Sequence, residues 1–188
     1  MSWSLSELHA LSRQAARGAG YDWGMADEAA HAARWLCRRG LQGDVALAHL
    51  LTARAGGADP ASCPLRMGCA VADAALAPDA LAGRTIVSPL LLLPFLDAAY
   101  AAEGRPAGVE IGGRAFAWSA DGWRAAGGAA APEGRAIPID PAAIQGDPLP
   151  TDRRPDPDAA TISRLEAFAA RVRAPATEES RRKGAGGD

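Results

Sequence analysis

The spacing of apolar residues in the first third of the chain is that of helices. Ser4 and Glu7 form a capping box, and apolar residues then recur every three or four positions until Gly18. Alanine-rich runs of the same period predict a second helix over residues 25–39 and a third over residues 44–53, each ending shortly before glycine. This part of the chain is therefore predicted to be helical.

The period changes near the middle of the chain. Residues 67–76 are small and apolar and predict either a helix or an irregular segment, and residues 84–87 predict a short strand. Ser88 then stands as the N-cap of an apolar helix over residues 89–102, which opens with proline. Pro94 lies inside that helix, which predicts a kink or a start shifted towards Pro94.

Short β-type segments characterise the chain beyond residue 105. The segments 109–111 and 114–118 flank a Gly-Gly pair, which predicts a hairpin, and Asp121-Gly122 predicts a further turn. Residues 136–139 predict one more strand. Because helices come first and antiparallel strands later, the sequence predicts an α+β fold: an N-terminal helical part, a small antiparallel sheet, a C-terminal helix and an extended tail.

Composition divides the chain into four parts. Residues 1–144 are long enough to bury the core of a single α+β domain. Residues 145–160 are rich in proline and aspartate and predict an extended linker, and residues 161–173 predict a short amphipathic helix. Residues 174–188 show no packing pattern, so we expect a flexible tail or one that docks into a site.

Charge and composition argue against several classes of partner. The formal net charge is −2 and no basic stripe is visible, which argues against nucleic acid. The longest apolar stretch contains Pro94 and Asp97 and is far shorter than the roughly 20 residues of a membrane span. The N-terminus shows no secretory pattern and the three cysteines form no disulfide framework, so we expect a cytoplasmic protein without a membrane partner.

Cys63 and Cys69 are the first candidates for chemistry. The Cys63 thiol could act as a nucleophile or metal ligand, with Arg66 near it as a carboxylate clamp. The structural interpretation is that both cysteines are small buried hydrophobic residues. Five residues separate the two, which is not a zinc-ligand spacing. We therefore expect no metal and no cofactor.

Aromatic and histidine side chains of the helical part also allow two interpretations. Trp23 and Trp35, with Arg34 beside them, could form an aromatic wall for a ligand, although tryptophan more often belongs to the core. Each histidine falls on a predicted helix, and none stands at a ligand spacing from another ligand type. We interpret them as partly exposed or core-edge residues: His9, His31 and His49.

The tail has the least ordinary sequence of the chain. Its structural interpretation is a charged, disordered terminus. Its functional interpretation is a docking segment in which Glu178 acts as acid or base and Arg181 binds a carboxylate, while Thr177 and Ser180 also contact the ligand.

Several short motifs occur along the chain. They are Ser4–Glu7, residues 16–21, Trp23-Gly24, residues 33–36, Cys63-Pro64 with Gly68 and Asp73, the leucine run 89–94 and residues 175–186. Together they resemble a bacterial family of short cytoplasmic proteins known only as a domain of unknown function. The resemblance extends over the whole chain and implies no particular activity.

A weaker resemblance covers residues 1–50. The apolar helix positions and Arg39–Gly43 are similar to the opening helices of malate/lactate-type dehydrogenases that are not Rossmann-folded. In that family an Asp-Ser-His-Gly stretch with a functional histidine follows, whereas here Gly43 is followed by Asp-Val-Ala-Leu. The chain is also too short for the cofactor-binding part, so hydride transfer is not expected.

Three hypotheses for function follow, and the residues do not decide whether the chain is an enzyme. In the first, it is an accessory protein that binds a protein partner beside a metabolic enzyme, or a second copy of itself. In the second, it is a small enzyme or ligand binder for a carboxylated metabolite, with Cys63 as thiol, Arg66 or Arg181 as clamp and Glu178 as acid or base. In the third, it is a structural domain with a disordered tail.

Overall fold

The computed structural model of the chain describes residues 3–172. The helices are α1 (Leu5–Gly18), α2 (Trp23–Arg38), α3 (Gly43–Ala55), α4 (Pro64–Ala72), α5 (Leu93–Glu103) and α6 (Ala159–Ala169). The strands are β1 (Ile86–Val87), β2 (Ala107–Ile111), β3 (Arg114–Ser119), β4 (Gly122–Ala126), β5 (Glu133–Gly134), β6 (Ala136–Ile139) and β7 (Asp147–Pro148). Single turns of 3₁₀ helix occur at 60–62, 78–81, 89–92, 141–143 and 170–172.

The N-terminal helices begin at side-chain caps. The predicted capping box opens α1: the Glu7 amide donates to Ser4 Oγ at 3.1 Å, and the Ser4 amide donates to Glu7 Oε2 at 2.8 Å. Helix α2 begins two residues earlier than predicted because Asp22 caps it, accepting from the Met25 amide at 2.8 Å. No helix within residues 3–172 is long and apolar enough to cross a membrane.

Proline sets the start of α5. A 3₁₀ turn occupies residues 89–92, and the α-helix begins at Leu93, so Pro94 lies in its first turn, where no intrahelical amide is needed. The predicted shift of the helix start towards Pro94 is confirmed. Ser88 precedes this segment as predicted, but it does not cap it: its side chain accepts no amide of the turn, and its backbone is left-handed, with φ +50°.

The larger sheet is antiparallel and built around the predicted hairpin. Its strand order is β6-β2-β3-β4-β7, and β1 pairs separately with β5. Gly112 and Gly113 join β2 to β3 with φ values of +56° and +81°, the left-handed conformations that a two-residue hairpin turn of this kind requires. With helices first and antiparallel strands later, the predicted α+β class is confirmed.

A hydrophobic cluster joins the helices to the sheet. It contains fully buried leucines of the helices, such as Leu36 and Leu51, together with Phe116 of β3. Helices α4 and α5 approach closely at Gly68, where an added Cβ would lie 2.3 Å from the Phe95 ring. The absence of a side chain at Gly68 thus allows α4 and α5 to pack closely.

A polar contact inside this layer connects four elements. The Asp97 carboxylate of α5 accepts from the indole nitrogens of Trp35 at 3.3 Å, Trp118 at 3.0 Å and Trp123 at 2.7 Å. The Arg39 guanidinium stacks on the Trp35 ring, 3.6 Å from its centroid, and lies 4.0 Å from Asp97. We call these five residues the Asp97 cluster. It ties α2 and α5 to strands β3 and β4.

Residues 145–158 are largely extended, as their composition indicates, and they contact the rest of the chain at definite points. Strand β7 pairs with the end of β4, and the Leu149 amide donates to the Trp123 carbonyl at 2.8 Å. The Arg153 amide donates to the Arg38 carbonyl, also at 2.8 Å. This segment leads directly into α6, which packs against α1 and α3. The division of the chain into four parts stays a prediction.

Candidate functional site

A cleft of about 530 Å³ opens where the helical part meets the sheet. One wall is the turn before α3 together with the first half of α3, which contributes His49. The other wall contains Ser88, Arg114 at the start of β3, and the loop of residues 127–132. We call this feature the cleft. It is large enough for a small metabolite.

Ser88 and His49 form a hydrogen-bonded pair in the cleft. Ser88 Oγ lies 2.9 Å from His49 Nδ1, and Ser88 is only 2% exposed. The Ser88 amide donates to the Pro132 carbonyl at 2.6 Å, and the Ser88 carbonyl accepts from the Leu91 amide at 3.0 Å. These bonds fix the Ser88 backbone on both sides, and the hydroxyl is oriented by its bond to the histidine.

The backbone of Ser88 is strained. Its φ of +50° and ψ of 56° lie in the left-handed region, which a residue with a Cβ adopts at a cost of about 1–2 kcal/mol. Glycine would adopt this conformation freely. Strain of this kind, maintained by surrounding hydrogen bonds, is typical of functional sites and motivates the interpretation of Ser88 as a functional residue.

His49 has one ring nitrogen engaged and one available. Nδ1 is bonded to Ser88, while Nε2 has no hydrogen-bond partner within residues 3–172. Imidazole carries a donor on one nitrogen and an acceptor on the other when neutral, so the pair can exchange a proton between Oγ and Nδ1. His49 is therefore suited to acid–base chemistry in the cleft.

Arg114 is a cation that has no ion pair within residues 3–172. Its Nε is buried and has no hydrogen-bond partner in the described part of the chain, and none of the cleft residues is acidic. Its guanidinium contacts the Phe116 ring, 5.3 Å from the centroid. A buried donor normally has an acceptor. An arginine that lines a cleft without acidic residues is also suited to pair with an anionic group.

The loop of residues 127–132 adds small side chains and backbone donors. Gly127, with φ +92°, opens the run Gly-Gly-Ala-Ala-Ala. Within residues 3–172 the amides of residues 128–130 donate to no acceptor, whereas the Ala131 amide donates to the Gly112 carbonyl at 2.8 Å. Small residues let a ligand approach these amides closely, and free amides favour anions.

Cys63 lies in the core. It is 5% exposed, and its sulfur is 3.3 Å from the Tyr21 hydroxyl. Burial, with this contact, raises the pKa of the Tyr21 hydroxyl well above its usual range, so the hydroxyl stays protonated near neutral pH and cannot accept the thiol proton. The adjacent cavity of about 20 Å³ has room for roughly one water. Arg66 lies on the exposed face of α4.

The other two thiols are held in the protonated state. Burial raises the pKa of Cys37 to about 12, and Asp44 beside it adds to the shift. Burial also raises the pKa of Cys69 to about 11, with smaller effects from Glu28 and Asp73. Thiols with such pKa values are weak nucleophiles near neutral pH. In residues 3–172 no group of three or more His, Cys, Asp or Glu side chains could hold a metal ion.

The predicted aromatic wall is divided between two places. Trp23 begins α2 and is 63% exposed, whereas Trp35 belongs to the Asp97 cluster. Twelve residues separate them on one helix, which is about 18 Å along its axis. Arg34 lies on the exposed face of α2. The binding roles assigned to these residues stay predictions.

The predicted tail site lies outside the described residues. Thr177, Glu178, Ser180 and Arg181 all follow residue 172. Their roles as ligand contacts and as acid or base therefore stay predictions.

The residues of the cleft were not singled out from the sequence. From the sequence, His49 is interpreted as a partly exposed or core-edge residue, Ser88 as an N-cap and Arg114 only as part of a strand. The available signal was a serine placed between a short strand and a helix, an arrangement that presents nucleophiles in several enzymes. His49 and Ser88 are 39 residues apart, so spacing alone could not pair them.

One family model matches the chain. Residues 3–85 match the family described as a protein of unknown function (DUF3726), which confirms the predicted resemblance over that part. No curated protein and no solved structure matches the chain. The weaker resemblance to dehydrogenases therefore has no support. Within the cleft, His49 lies inside the matched part, while Ser88, Arg114 and the 127–132 loop follow it.

Proposed function

We propose that this chain, whose residues 3–85 match a family of unknown function, binds a small carboxylated metabolite in the cleft. The observation that carries the proposal is Arg114, which lines a cleft without acidic residues and has no ion pair within residues 3–172. Guanidinium pairs with carboxylate through charge-assisted hydrogen bonds, so a carboxylate in the cleft would supply the counter-charge.

The ligand class is the one expected from the sequence, a carboxylated metabolite, but its site is the cleft and not the Cys63 loop. A site at Cys63 with Arg66 and the tail would need space beside Cys63, where the cavity is about 20 Å³. The cleft offers about 530 Å³ together with an acid–base residue, His49. Binding and catalysis are therefore both chemically available in the cleft. Three unpaired cysteines support a cytoplasmic location as part of this proposal.

A ligand screen with matched variants tests the binding proposal. Thermal shifts are measured with a panel of small mono- and dicarboxylates, and hits are confirmed by calorimetry. Arg114→Gln keeps hydrogen-bonding capacity and removes the charge, so we expect at least a tenfold loss of affinity. Arg124→Gln, on the exposed face of neighbouring β4, is the control and should bind like the wild type. Equal affinity in both variants, or no carboxylate binding, would contradict the proposal.

A second candidate function is that of an accessory protein that binds a protein partner or a second copy of the chain. Trp23 and Val172, which are 63% and 47% exposed, line a groove of about 570 Å³ with Arg13 and Arg17. Arg17 lies 4.3 Å from the centroid of the Trp23 ring. Tryptophan and arginine are enriched among residues that dominate protein interfaces.

Two experiments distinguish self-association from the binding of a different protein. Sedimentation of the purified chain shows whether it self-associates, and Trp23→Ser should then shift it to monomer. For a different partner, capture from the source cells should enrich one identifiable metabolic enzyme with the wild type and not with Trp23→Ser. Val45→Ser removes another exposed apolar residue and is the control. A monomer that enriches no such enzyme in a Trp23-dependent way would refute the candidate.

A further inference from the structure

We infer that Ser88 is a nucleophile and that the cleft hydrolyses a small ester carrying a free carboxylate. This inference rests on the proposed function, since Arg114 would hold that carboxylate. The first argument is the place of Ser88 in the fold. It stands between strand β1 and the 3₁₀ turn that leads into α5, and its backbone is left-handed. Strained strand-to-helix turns present the serine of many hydrolases in this way.

The second argument is the base. His49 Nδ1 lies 2.9 Å from Ser88 Oγ, which is within the range for direct proton transfer. The hydrogen bonds of the Ser88 backbone to Pro132 and Leu91 fix the position of its Cα, and the contact with His49 orients the hydroxyl. A serine hydroxyl is a weak nucleophile at its own pKa, and an adjacent base is what activates it.

The third argument is the supply of hydrogen-bond donors. Pro89 follows Ser88 and has no amide hydrogen, so that position cannot stabilise an oxyanion. Residues 128–130, whose amides donate to no acceptor within residues 3–172, line the same cleft, and we assign them as the donors for the oxyanion. The Arg114 guanidinium remains for the carboxylate of the substrate. The two anionic centres of the reaction are thus assigned to different donors.

The reaction is balanced with water as the only co-substrate. Ser88 Oγ attacks the ester carbonyl, and its proton passes to His49 Nδ1. The tetrahedral intermediate collapses, the bond from carbon to the alkoxy oxygen breaks, and the leaving alcohol takes the proton from His49. Water then attacks the acyl-serine and gives a proton to His49, which returns it to Ser88 Oγ as the acid leaves. No group is oxidised or reduced in either step.

Labelling with a fluorophosphonate probe tests the nucleophile. Intact-mass spectrometry of the wild type should show one adduct, located on Ser88 by peptide mapping. Ser88→Gly removes the hydroxyl and relieves the left-handed strain, so this variant should fold and remain unlabelled. His49→Asn can keep a hydrogen bond to Ser88 but cannot accept a proton, and its labelling should be about 100-fold slower or more. Ser62→Ala is the control and should label like the wild type.

Hydrolysis of the p-nitrophenyl monoester of succinic acid measures turnover. Ser88→Gly should abolish the enzyme-dependent rate, while Arg114→Gln should lower kcat/KM for this ester more than for p-nitrophenyl acetate. Absence of a Ser88 adduct in folded wild type, or equal labelling of His49→Asn, would overturn the inference. If carboxylates still bind to Ser88→Gly while no adduct forms on the wild type, the proposed function survives and only the nucleophile fails.

Discussion

The Asp97 cluster makes a strong prediction about stability. Asp97→Ala removes the acceptor of three indole N–H groups and the counter-charge of Arg39. The indoles come from α2, β3 and β4, and Trp123 is only 4% exposed, so its N–H would find little water in the folded state. The variant therefore loses a contact between layers.

The magnitude follows from the number of bonds and their solvation. Hydrogen bonds to a charged group contribute about 1.5–3 kcal/mol each to stability. The Asp97 side chain is 29% exposed, so water can replace part of this contribution in the variant. We expect Asp97→Ala to lower the free energy of unfolding by about 4 kcal/mol, which is a large part of the roughly 5–15 kcal/mol that domains possess.

Asp97→Asn separates the hydrogen bonds from the charge. Oδ1 takes the two shorter bonds, from Trp118 and Trp123, and an asparagine oxygen can keep both. The amide nitrogen would then face Trp35 and lose the third bond, so we expect a loss of about 1–2 kcal/mol.

Urea unfolding followed by circular dichroism measures all of these values without relying on the tryptophans. Asp121→Ala is the control, because that exposed carboxylate lies on the β3–β4 turn and its side chain has no partner within residues 3–172. It should stay within about 0.5 kcal/mol of the wild type. An Asp97→Ala variant within 1 kcal/mol of the wild type, or one no less stable than Asp97→Asn, would refute the argument.

Three further predictions concern packing, thiols and acid. Gly68→Ala should lower the free energy of unfolding by about 1–3 kcal/mol, measured in urea, because its Cβ meets the Phe95 ring. Gly83→Ala should leave this free energy unchanged, because its Cβ would lie in open space. With pKa values of about 12 and about 11, Cys37 and Cys69 should alkylate far more slowly at pH 8 in the folded than in the unfolded chain, by timed mass spectrometry. Hydrogen bonds from threonine lower the pKa of Asp158, so its stabilising effect is complete above about pH 4 and is lost as pH falls through the folded pKa. Stability curves of the wild type and Asp158→Ala should therefore converge in strong acid and differ at pH 7; parallel curves would contradict this.

Local signals in the sequence were sufficient for most of the fold. The capping box of Ser4 and Glu7 placed the start of α1, and Gly112-Gly113 placed the hairpin, because each signal acts on residues within a few positions of itself. The observed start of a helix differs from the predicted start where the sequence analysis did not identify the N-cap, as with Asp22 before α2. Pro94 correctly indicated where α5 begins, because its ring excludes any later helix position.

The cleft could not be predicted in the same way. His49, Ser88 and Arg114 belong to three elements, and only the packing of α3 against β1 and the adjoining 3₁₀ turn brings the first two together. Ser88 was predicted to cap a helix because serine before proline is typical of N-caps. Its left-handed backbone turns the hydroxyl elsewhere, and no local pattern carries that information. The Asp97 cluster likewise depends on contacts up to 62 residues apart.

The cleft lies across the end of the segment that matches the family. The match ends at residue 85, and β1 begins at Ile86. His49 therefore lies inside the matched segment, while Ser88, Arg114 and the 127–132 loop lie beyond it. A fragment ending at residue 85 would contain one wall of the cleft, with His49, and would lack the opposite wall. The matched segment therefore does not form the cleft by itself, and any activity of the cleft depends on both parts of the chain.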